Sequence, residues 1–121
     1  MSLLGERQEL FMELMPRLLA WGYARGYRMR GGELWRPPEM VAIYAARGSG
    51  SANSLHPLRL AIDINLFLNG TFLETSESHR PLGDFWKSLH PLCRWGGDFR
   101  RADGTPKPDG NHYSIEHNGV R

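Results

Sequence analysis

The segment RLAIDINLFL, residues 59–68, constrains the fold of this chain more than any other part of its sequence. Its many apolar residues predict a buried β-strand. Asp63 stands in the middle of that apolar run. A carboxylate buried there without a partner would cost several kcal/mol, so Asp63 requires a cation, a set of hydrogen bonds or a metal ion beside it. The residues alone leave two alternatives open, an ion pair with an arginine and a metal site.

The rest of the chain divides into helical and extended segments around this strand. Apolar residues at spacings of three, four and seven predict an amphipathic helix over residues 3–25, which Pro16 would kink or divide. The further predicted elements are, in chain order, a strand or a short strand with a turn in 27–36, a helix in 37–47, a small-polar loop in 48–54, an Asn-Gly hairpin in 69–74, a helix in 76–93 with a boundary near Pro81 and a stop near Pro91, a turn-rich loop in 94–110 and a strand in 111–117. This order predicts an α+β fold, with a small antiparallel sheet flanked by helices.

Length and composition limit the class of protein. The 121 residues predict a single domain, 1–121. Cys93 is the one cysteine, which excludes a disulfide framework and a cysteine-based zinc cluster. No apolar run approaches the ~20 residues that a bilayer span needs, so no membrane insertion is expected. Glu6 and Glu9 stand where a secretory signal would carry basic residues, so we expect synthesis in the cytoplasm.

The charge indicates a class of partner at best. The formal net charge is +2 and the sequence pI is about 9.0, which suits a polyanion. The basic residues are spread along the chain without a run of five or six, and no nucleic-acid-binding motif is present. We therefore expect no nucleic-acid partner.

Two of the five histidines stand in a chemically suggestive context. His56 follows the small-polar loop, and His112 opens the last predicted strand, three residues after Asp109. Zinc needs only three protein ligands where its fourth position holds water, and two histidines with one carboxylate suit it. His56, Asp63 and His112 as ligands, with Asp109 as the base, would form a complete hydrolytic set, although no HExxH motif is present.

The sequence SLHPLRLAID followed by DGNHYS resembles the zinc D,D-/L,D-carboxypeptidase and endopeptidase family M15, which includes VanX- and VanY-type enzymes and small phage endolysins. The family pattern is S-x-H-x6-D, then Trp-Gly-Gly-x-Phe, then a carboxylate-x-x-His. The matching positions are, in order, Ser54, His56, Asp63, residues 95–99, Asp109 and His112. The resemblance covers residues 35–117.

This resemblance implies a hedgehog/D,D-peptidase-like fold with a Zn²⁺ cofactor. It implies His56, Asp63 and His112 as the zinc ligands and Asp109 as the catalytic carboxylate. Arg36 resembles the arginine upstream of the first ligand in phage-type members.

Two of the implied roles have a structural alternative. Arg36 would polarise the substrate carbonyl, or else form a surface ion pair. Ser54 would bind substrate or simply turn the loop.

The implied activity is hydrolysis of a peptide bond in the peptidoglycan stem peptide, either L-alanyl-D-glutamate or D-alanyl-D-alanine. A phage-type endolysin would be a monomer that waits in the host cytoplasm until a holin releases it to the cell wall. The alternative is a non-catalytic, metal-stabilised cell-wall-binding module on the same fold.

Some residues depart from the family pattern or match no ligand position. Arg59 stands where many members carry glycine, and Ser114 stands where many carry glutamate. The remaining histidines, His79, His90 and His117, are predicted to be surface or structural residues. Trp95 is predicted either to pack in a turn or to form one wall of a peptide groove.

Overall fold

The computed structural model describes residues 2–47 and 54–121. Apart from Ser54, the predicted loop 48–54 therefore lies outside the described residues. The helices are α1 (Leu3–Ala24), α2 (Pro38–Ala46) and α3 (Arg80–Leu89), and the strands are β1 (Tyr27–Gly31), β2 (Ala61–Leu68), β3 (Thr71–Phe72), β4 (Cys93–Trp95) and β5 (His112–Ile115). The predicted α+β fold with a small antiparallel sheet is confirmed.

The long apolar strand β2 organises the sheet. The strand order is β1-β2-β5-β4, β3 pairs with β2 at its far end, and all pairs are antiparallel. One half of β2 pairs with β1, whereas Ala61, Ile62 and Asp63 pair with β5. This arrangement places the first half of β2 in the interior of the sheet, beside a strand from the far end of the chain.

The helix α1 runs unbroken through Pro16, so this proline does not divide it. The side chain of Ser2 caps the helix by accepting a hydrogen bond of 3.1 Å from the amide of Gly5. Phe11 and Leu14 before the proline and Leu18 after it are all buried. Packing of this continuous apolar face compensates for the hydrogen bond that the proline cannot donate.

The main core lies where α1 and α3 pack against the sheet. Trp86 of α3 is fully buried, its ring centroid is 5.9 Å from that of Phe11, and its indole N–H lies 3.1 Å from the carbonyls of Arg94 and Ser114. These contacts fix α3 on β4 and β5, the two strands next to the end of β2 that carries Asp63.

The structure refines the predicted boundaries in the C-terminal half. The helix predicted in 76–93, with a boundary near Pro81 and a stop near Pro91, is a 3-10 turn, Glu77–His79, followed by α3, which ends at Leu89. The loop predicted in 94–110 begins within β4, which pairs with β5. A strand of three residues is too short to show alternation in the sequence, and its pairing is non-local.

The remaining predicted elements match observed ones with shifted ends. The strand predicted in 27–36 ends at Gly31, and the strand predicted in 111–117 ends at Ile115. No helix within residues 2–47 and 54–121 is both long and apolar enough to cross a bilayer.

Candidate metal centre

The pairing of β2 with β5 brings Asp63 and His112 together. The two residues are direct partners across the strands, so their side chains lie on the same face of the sheet. His56 comes from the 3-10 turn His56–Leu58 that leads into β2. Asp63 Oδ1 lies 3.4 Å from His56 Nε2 and 3.7 Å from His112 Nδ1. One potential ligand atom of each residue lies within 4.8 Å of the others, a spacing that a single metal ion can span.

The segment that follows β1 holds two of these residues through its backbone. The carbonyl of Leu34 lies 3.3 Å from His56 Nδ1, and a proton on that nitrogen leaves the Nε2 lone pair facing Asp63. The amide of Asp63 donates a hydrogen bond of 2.8 Å to the carbonyl of Glu33, and its carbonyl accepts one of 2.8 Å from Gly32. These backbone contacts position the ligand side chains, and sequence reasoning missed them because any residue type can make them.

The side chains fit a divalent metal ion better than they fit one another. Asp63 Oδ1 and His112 Nε2 are buried and have no hydrogen-bond partner within residues 2–47 and 54–121. The arginine ion pair that the sequence left open is not formed, because only the two histidines lie within ion-pair distance of Asp63 in the described chain. Two imidazoles and one carboxylate form a donor set typical of zinc with an open coordination position.

The protonation of His112 favours its role as a ligand. The pKa of His112 is lowered to about 4, chiefly by burial and also by the neighbouring His56 and Arg36, while Asp63 opposes the shift. The imidazole is therefore neutral at neutral pH, the form that binds metal ions.

Asp109 lies on the same cavity, carried by the turn that precedes β5. Its amide donates to the carbonyl of Gly96 at 2.8 Å, and its carbonyl accepts from the amide of His112 at 3.1 Å. A Cβ on Gly96 would collide with the carbonyl of Asp109, so glycine is required there. The first Trp-Gly-Gly glycine thus positions the turn between Asp109 and His112.

The electrostatic environment of Asp109 makes its carboxyl a stronger base. Although Asp109 exposes more than a third of its surface, the cavity walls crowd its carboxyl. Partial burial raises its pKa, and the charge of Asp63 raises it further, while His56, Arg36 and Lys107 oppose the shift. A carboxylate whose pKa is raised binds a proton more strongly, which suits general-base chemistry.

For Arg36 the sequence left two roles open, an ion pair and a contact with the substrate carbonyl, and its position is compatible with both. Its Nε forms an ion pair with Glu33, and its guanidinium carbon lies 5.0 Å from the centroid of the Tyr44 ring. It also lines the cavity that contains His56 and Asp109. The ion pair therefore holds the guanidinium at the cavity wall.

Ser54 lines the same cavity and also stabilises its own loop. Its Oγ accepts a hydrogen bond of 3.2 Å from the amide of His56. The structure thus accounts for the turn-forming role, and substrate binding by Ser54 stays a prediction.

The predicted structural residues lie away from the candidate ligands. Trp95 is 1% exposed, and its indole N–H donates to the carbonyl of Gly110 at 2.7 Å. His79 is buried against Tyr113, and His117 is buried in the C-terminal turn. His90 accepts a hydrogen bond of 3.1 Å from the amide of Leu92. These contacts agree with structural roles.

The cavity at this site has a volume of about 740 Å³. Besides Arg36, Asp109 and the two candidate histidine ligands, its walls include Phe99, whose ring centroid lies 5.0 Å from that of His112. Two further wall residues, Arg100 and Lys107, were not predicted, because neither belongs to the family pattern.

Comparison with solved structures places this fold among peptidases. The L-Ala D-Glu endopeptidase ChiX of Serratia marcescens superposes with a TM-score of 0.65 and 15% sequence identity, over 86% of this chain and 78% of that one. A mutant of the vancomycin-resistance D,D-pentapeptidase VanY from a VanB-type cassette, in complex with Zn(II), superposes with a TM-score of 0.54 and 21% identity, over 87% of this chain and 70% of that one.

At these identities the likeness confirms the fold that the family resemblance implied. No protein-family model matches the sequence, and no curated protein matches it. The roles of individual residues therefore depend on the geometry of this site.

Proposed function

We propose that this protein is a zinc-dependent peptidase that hydrolyses a peptide bond in the stem peptide of bacterial peptidoglycan. The observation that carries the proposal is the convergence of His56, Asp63 and His112 around a buried carboxylate oxygen that has no hydrogen-bond donor within residues 2–47 and 54–121. A second carboxylate, Asp109, lines the same cavity. This combination matches the needs of metal-assisted hydrolysis.

The proposal assigns His56, Asp63 and His112 as the zinc ligands. Zinc bound there supplies Lewis-acid polarisation of the scissile carbonyl. Asp109 accepts the proton of the attacking water and returns it to the leaving amine, and its raised pKa favours this exchange.

Arg36 stabilises the charge that develops on the carbonyl oxygen during attack. Its ion pair with Glu33 uses Nε, and its two terminal nitrogens make no hydrogen bond within residues 2–47 and 54–121. Since Arg36 lines the cavity, we assign these nitrogens as the donors to the carbonyl oxygen. A donor fixed before the reaction costs little reorganisation in the transition state. Ser54 contributes its hydroxyl to substrate binding at the same wall.

The activities of the two similar structures support a peptidoglycan substrate, an L-Ala D-Glu bond for ChiX and a D,D-peptide for VanY. We propose the L-alanyl-D-glutamate bond as the target, with D-alanyl-D-alanine as the alternative. The endolysin role, the cytoplasmic location before release and the monomeric state stay predictions.

The first test is an Asp109→Asn variant. It should keep one zinc per chain, because Asp109 is outside the proposed ligand set, and lose cleavage of purified peptidoglycan by about 100-fold or more. Elemental analysis measures the zinc, and mass spectrometry of the released peptides measures the cleavage.

The matched control is Asp103→Asn in the neighbouring loop. The Asp103 carboxylate accepts hydrogen bonds from the amide of Thr105 at 2.9 Å and from its hydroxyl at 2.6 Å, and asparagine keeps such a turn. This variant should keep its activity. Full activity in Asp109→Asn would refute the base assignment, and a zinc-loaded wild type that binds cell walls without cutting any amide would instead indicate the non-catalytic module.

A further inference from the structure

The loop between β4 and β5 contains a small hairpin, residues Phe99–Lys107, that its own backbone holds together. The amide of Lys107 donates a hydrogen bond of 2.9 Å to the carbonyl of Phe99. The amide of Arg101 donates one of 2.8 Å to the carbonyl of Thr105. An antiparallel bridge joins Arg100 to Pro106. The hairpin therefore presents its side chains to the cavity from a defined backbone.

Two charged residues of this hairpin are used to stabilise it. The guanidinium of Arg101 donates to the carbonyl of Pro106 at 2.6 Å and lies 3.4 Å from the hydroxyl of Thr105. The carboxylate of Asp103 is bound to Thr105. Neither residue lines the cavity.

Arg100 and Lys107 differ from Arg101, because both line the cavity with His56 and Asp109. Arg100 uses one terminal nitrogen to donate to the carbonyl of Gly104 at 2.9 Å, which leaves its other N–H groups for a ligand. Within residues 2–47 and 54–121, neither cation forms an ion pair with a carboxylate.

The other two cations of the cavity wall have carboxylate partners in this chain. Arg36 pairs with Glu33, and Arg121 lies 3.4 Å from Glu116, which also binds Arg94 at 3.0 Å. Lys107 acts on the charge of Asp109 without forming an ion pair with it, so Arg100 and Lys107 are the wall cations of the described chain that have no carboxylate within ion-pair distance. A charge of this kind beside a hydrolytic site favours a substrate with a negative group at the same place.

Arg100 also stands where the cavity continues. A second depression of about 560 Å³ shares Asp98, Phe99, Arg100 and Pro108 with the first. Its outer wall reaches Arg80, whose guanidinium is already paired with Glu77 at 2.6 Å. A peptide that extends past the metal centre in this direction passes beside Arg100.

We propose that Arg100 and Lys107 form a carboxylate-binding subsite that selects substrates with a free carboxyl group on a residue next to the scissile bond. This inference rests on the proposed function and names the substrate class of that same site. For the L-alanyl-D-glutamate bond, the group bound is the carboxyl of D-glutamate that is not used in the peptide chain. A guanidinium and an ammonium together provide charge-assisted hydrogen bonds to such a group.

The test compares two synthetic stem peptides that differ only in this carboxyl, which is free in one and a carboxamide in the other. The wild type with zinc should cleave the acid with a kcat/KM about tenfold higher than the amide, mainly through KM, because two partly exposed charge contacts contribute about that factor. In the double variant Arg100→Gln and Lys107→Gln, the ratio should fall close to one.

Arg101→Gln is the matched control, because it removes a cation that does not line the cavity, while the glutamine amide still offers an N–H donor to the carbonyl of Pro106 that Arg101 binds. It should keep the wild-type preference for the acid. Equal cleavage of both peptides by the wild type would overturn the subsite, and so would a double variant that keeps the preference. If Lys107→Gln lowers kcat equally for both peptides, Lys107 acts on the carboxylate of Asp109 and does not bind the substrate carboxyl. Failure to cleave either peptide or purified peptidoglycan would contradict the proposed function itself.

Discussion

Two buried histidines, His79 and His112, lie in different chemical surroundings although burial lowers the pKa of both to about 4. In the core, His79 Nδ1 lies 2.9 Å from the hydroxyl of Tyr113, a satisfied pair. At the metal centre, His112 Nδ1 faces Asp63, and its Nε2 has no partner in the described chain. The difference teaches that burial and a shifted pKa do not identify a metal ligand, whereas a buried carboxylate oxygen that lies between two imidazoles and has no donor in the described chain, as at Asp63, indicates a metal site.

The strand β5 produces this difference between neighbouring residues. His112 and Tyr113 are consecutive, so their side chains point to opposite faces of the sheet. Tyr113 packs edge-on against Trp86 with the ring centroids 6.5 Å apart, and His112 faces Asp63 across the strand pair. One strand thus supplies both the core and the candidate site.

Replacing one of these two histidines, His112, should have the largest effect, a loss of zinc affinity. A His112→Ala variant removes one of three proposed ligands, and structural zinc sites bind with ~10–16 kcal/mol in total, so zinc should bind about 1000-fold more weakly or worse. Titration with zinc in a competing chelator measures the affinity. The double variant His79→Leu and Tyr113→Phe should keep wild-type affinity. Equal zinc affinity in His112→Ala and the wild type would exclude His112 as a ligand.

The sequence was sufficient for the features that depend on residue type and spacing. The apolar run with Asp63 predicted β2, and the family pattern predicted which residues meet at the site. The sequence did not predict β4, because this strand of three residues pairs with β5, which is distant in the sequence. It also missed the contact between the Leu34 carbonyl and His56, because a backbone acceptor has no residue signature.

The core histidine should be visible in the pH dependence of stability. The pKa of His79 falls from 6.5 to about 4 on folding, so the unfolded chain binds a proton over this range and the folded protein does not. The free energy of unfolding should therefore be fully retained above about pH 6.5 and fall by about 3 kcal/mol as the pH drops to about 4, with no further loss from this group below that.

Urea unfolding of the wild type and of the His79→Leu, Tyr113→Phe double variant, at matched pH values, measures this contribution. Replacing both partners with apolar groups leaves no buried polar atom unpaired, so the variant should fold. Between pH 7 and pH 4, the free energy of unfolding of the variant should fall by about 3 kcal/mol less than that of the wild type. Parallel pH profiles for the two proteins would show that His79 is not held neutral by the core.

Replacing Arg59 should have the smallest effect on stability and zinc binding, although Arg59 follows His56 by only three residues. Its φ angle is 58°, a left-handed conformation that glycine adopts without strain, which explains why glycine suits this position. Its guanidinium carbon lies 5.1 Å from the centroid of the half-exposed Trp35 ring, a contact of about 0.5–1 kcal/mol.

Arg59→Gly relieves the strain and loses the contact, so its stability should stay within about 1 kcal/mol of wild type. Arg59→Ala keeps the strain and loses the contact, so it should be less stable than Arg59→Gly by about 1 kcal/mol in urea unfolding. Both variants should bind zinc like the wild type, because the hydrogen bond of 3.1 Å from the amide of Arg59 to the carbonyl of His56 is made by the backbone and is kept in both. A loss of zinc in both would mean that the Arg59 side chain helps to position His56.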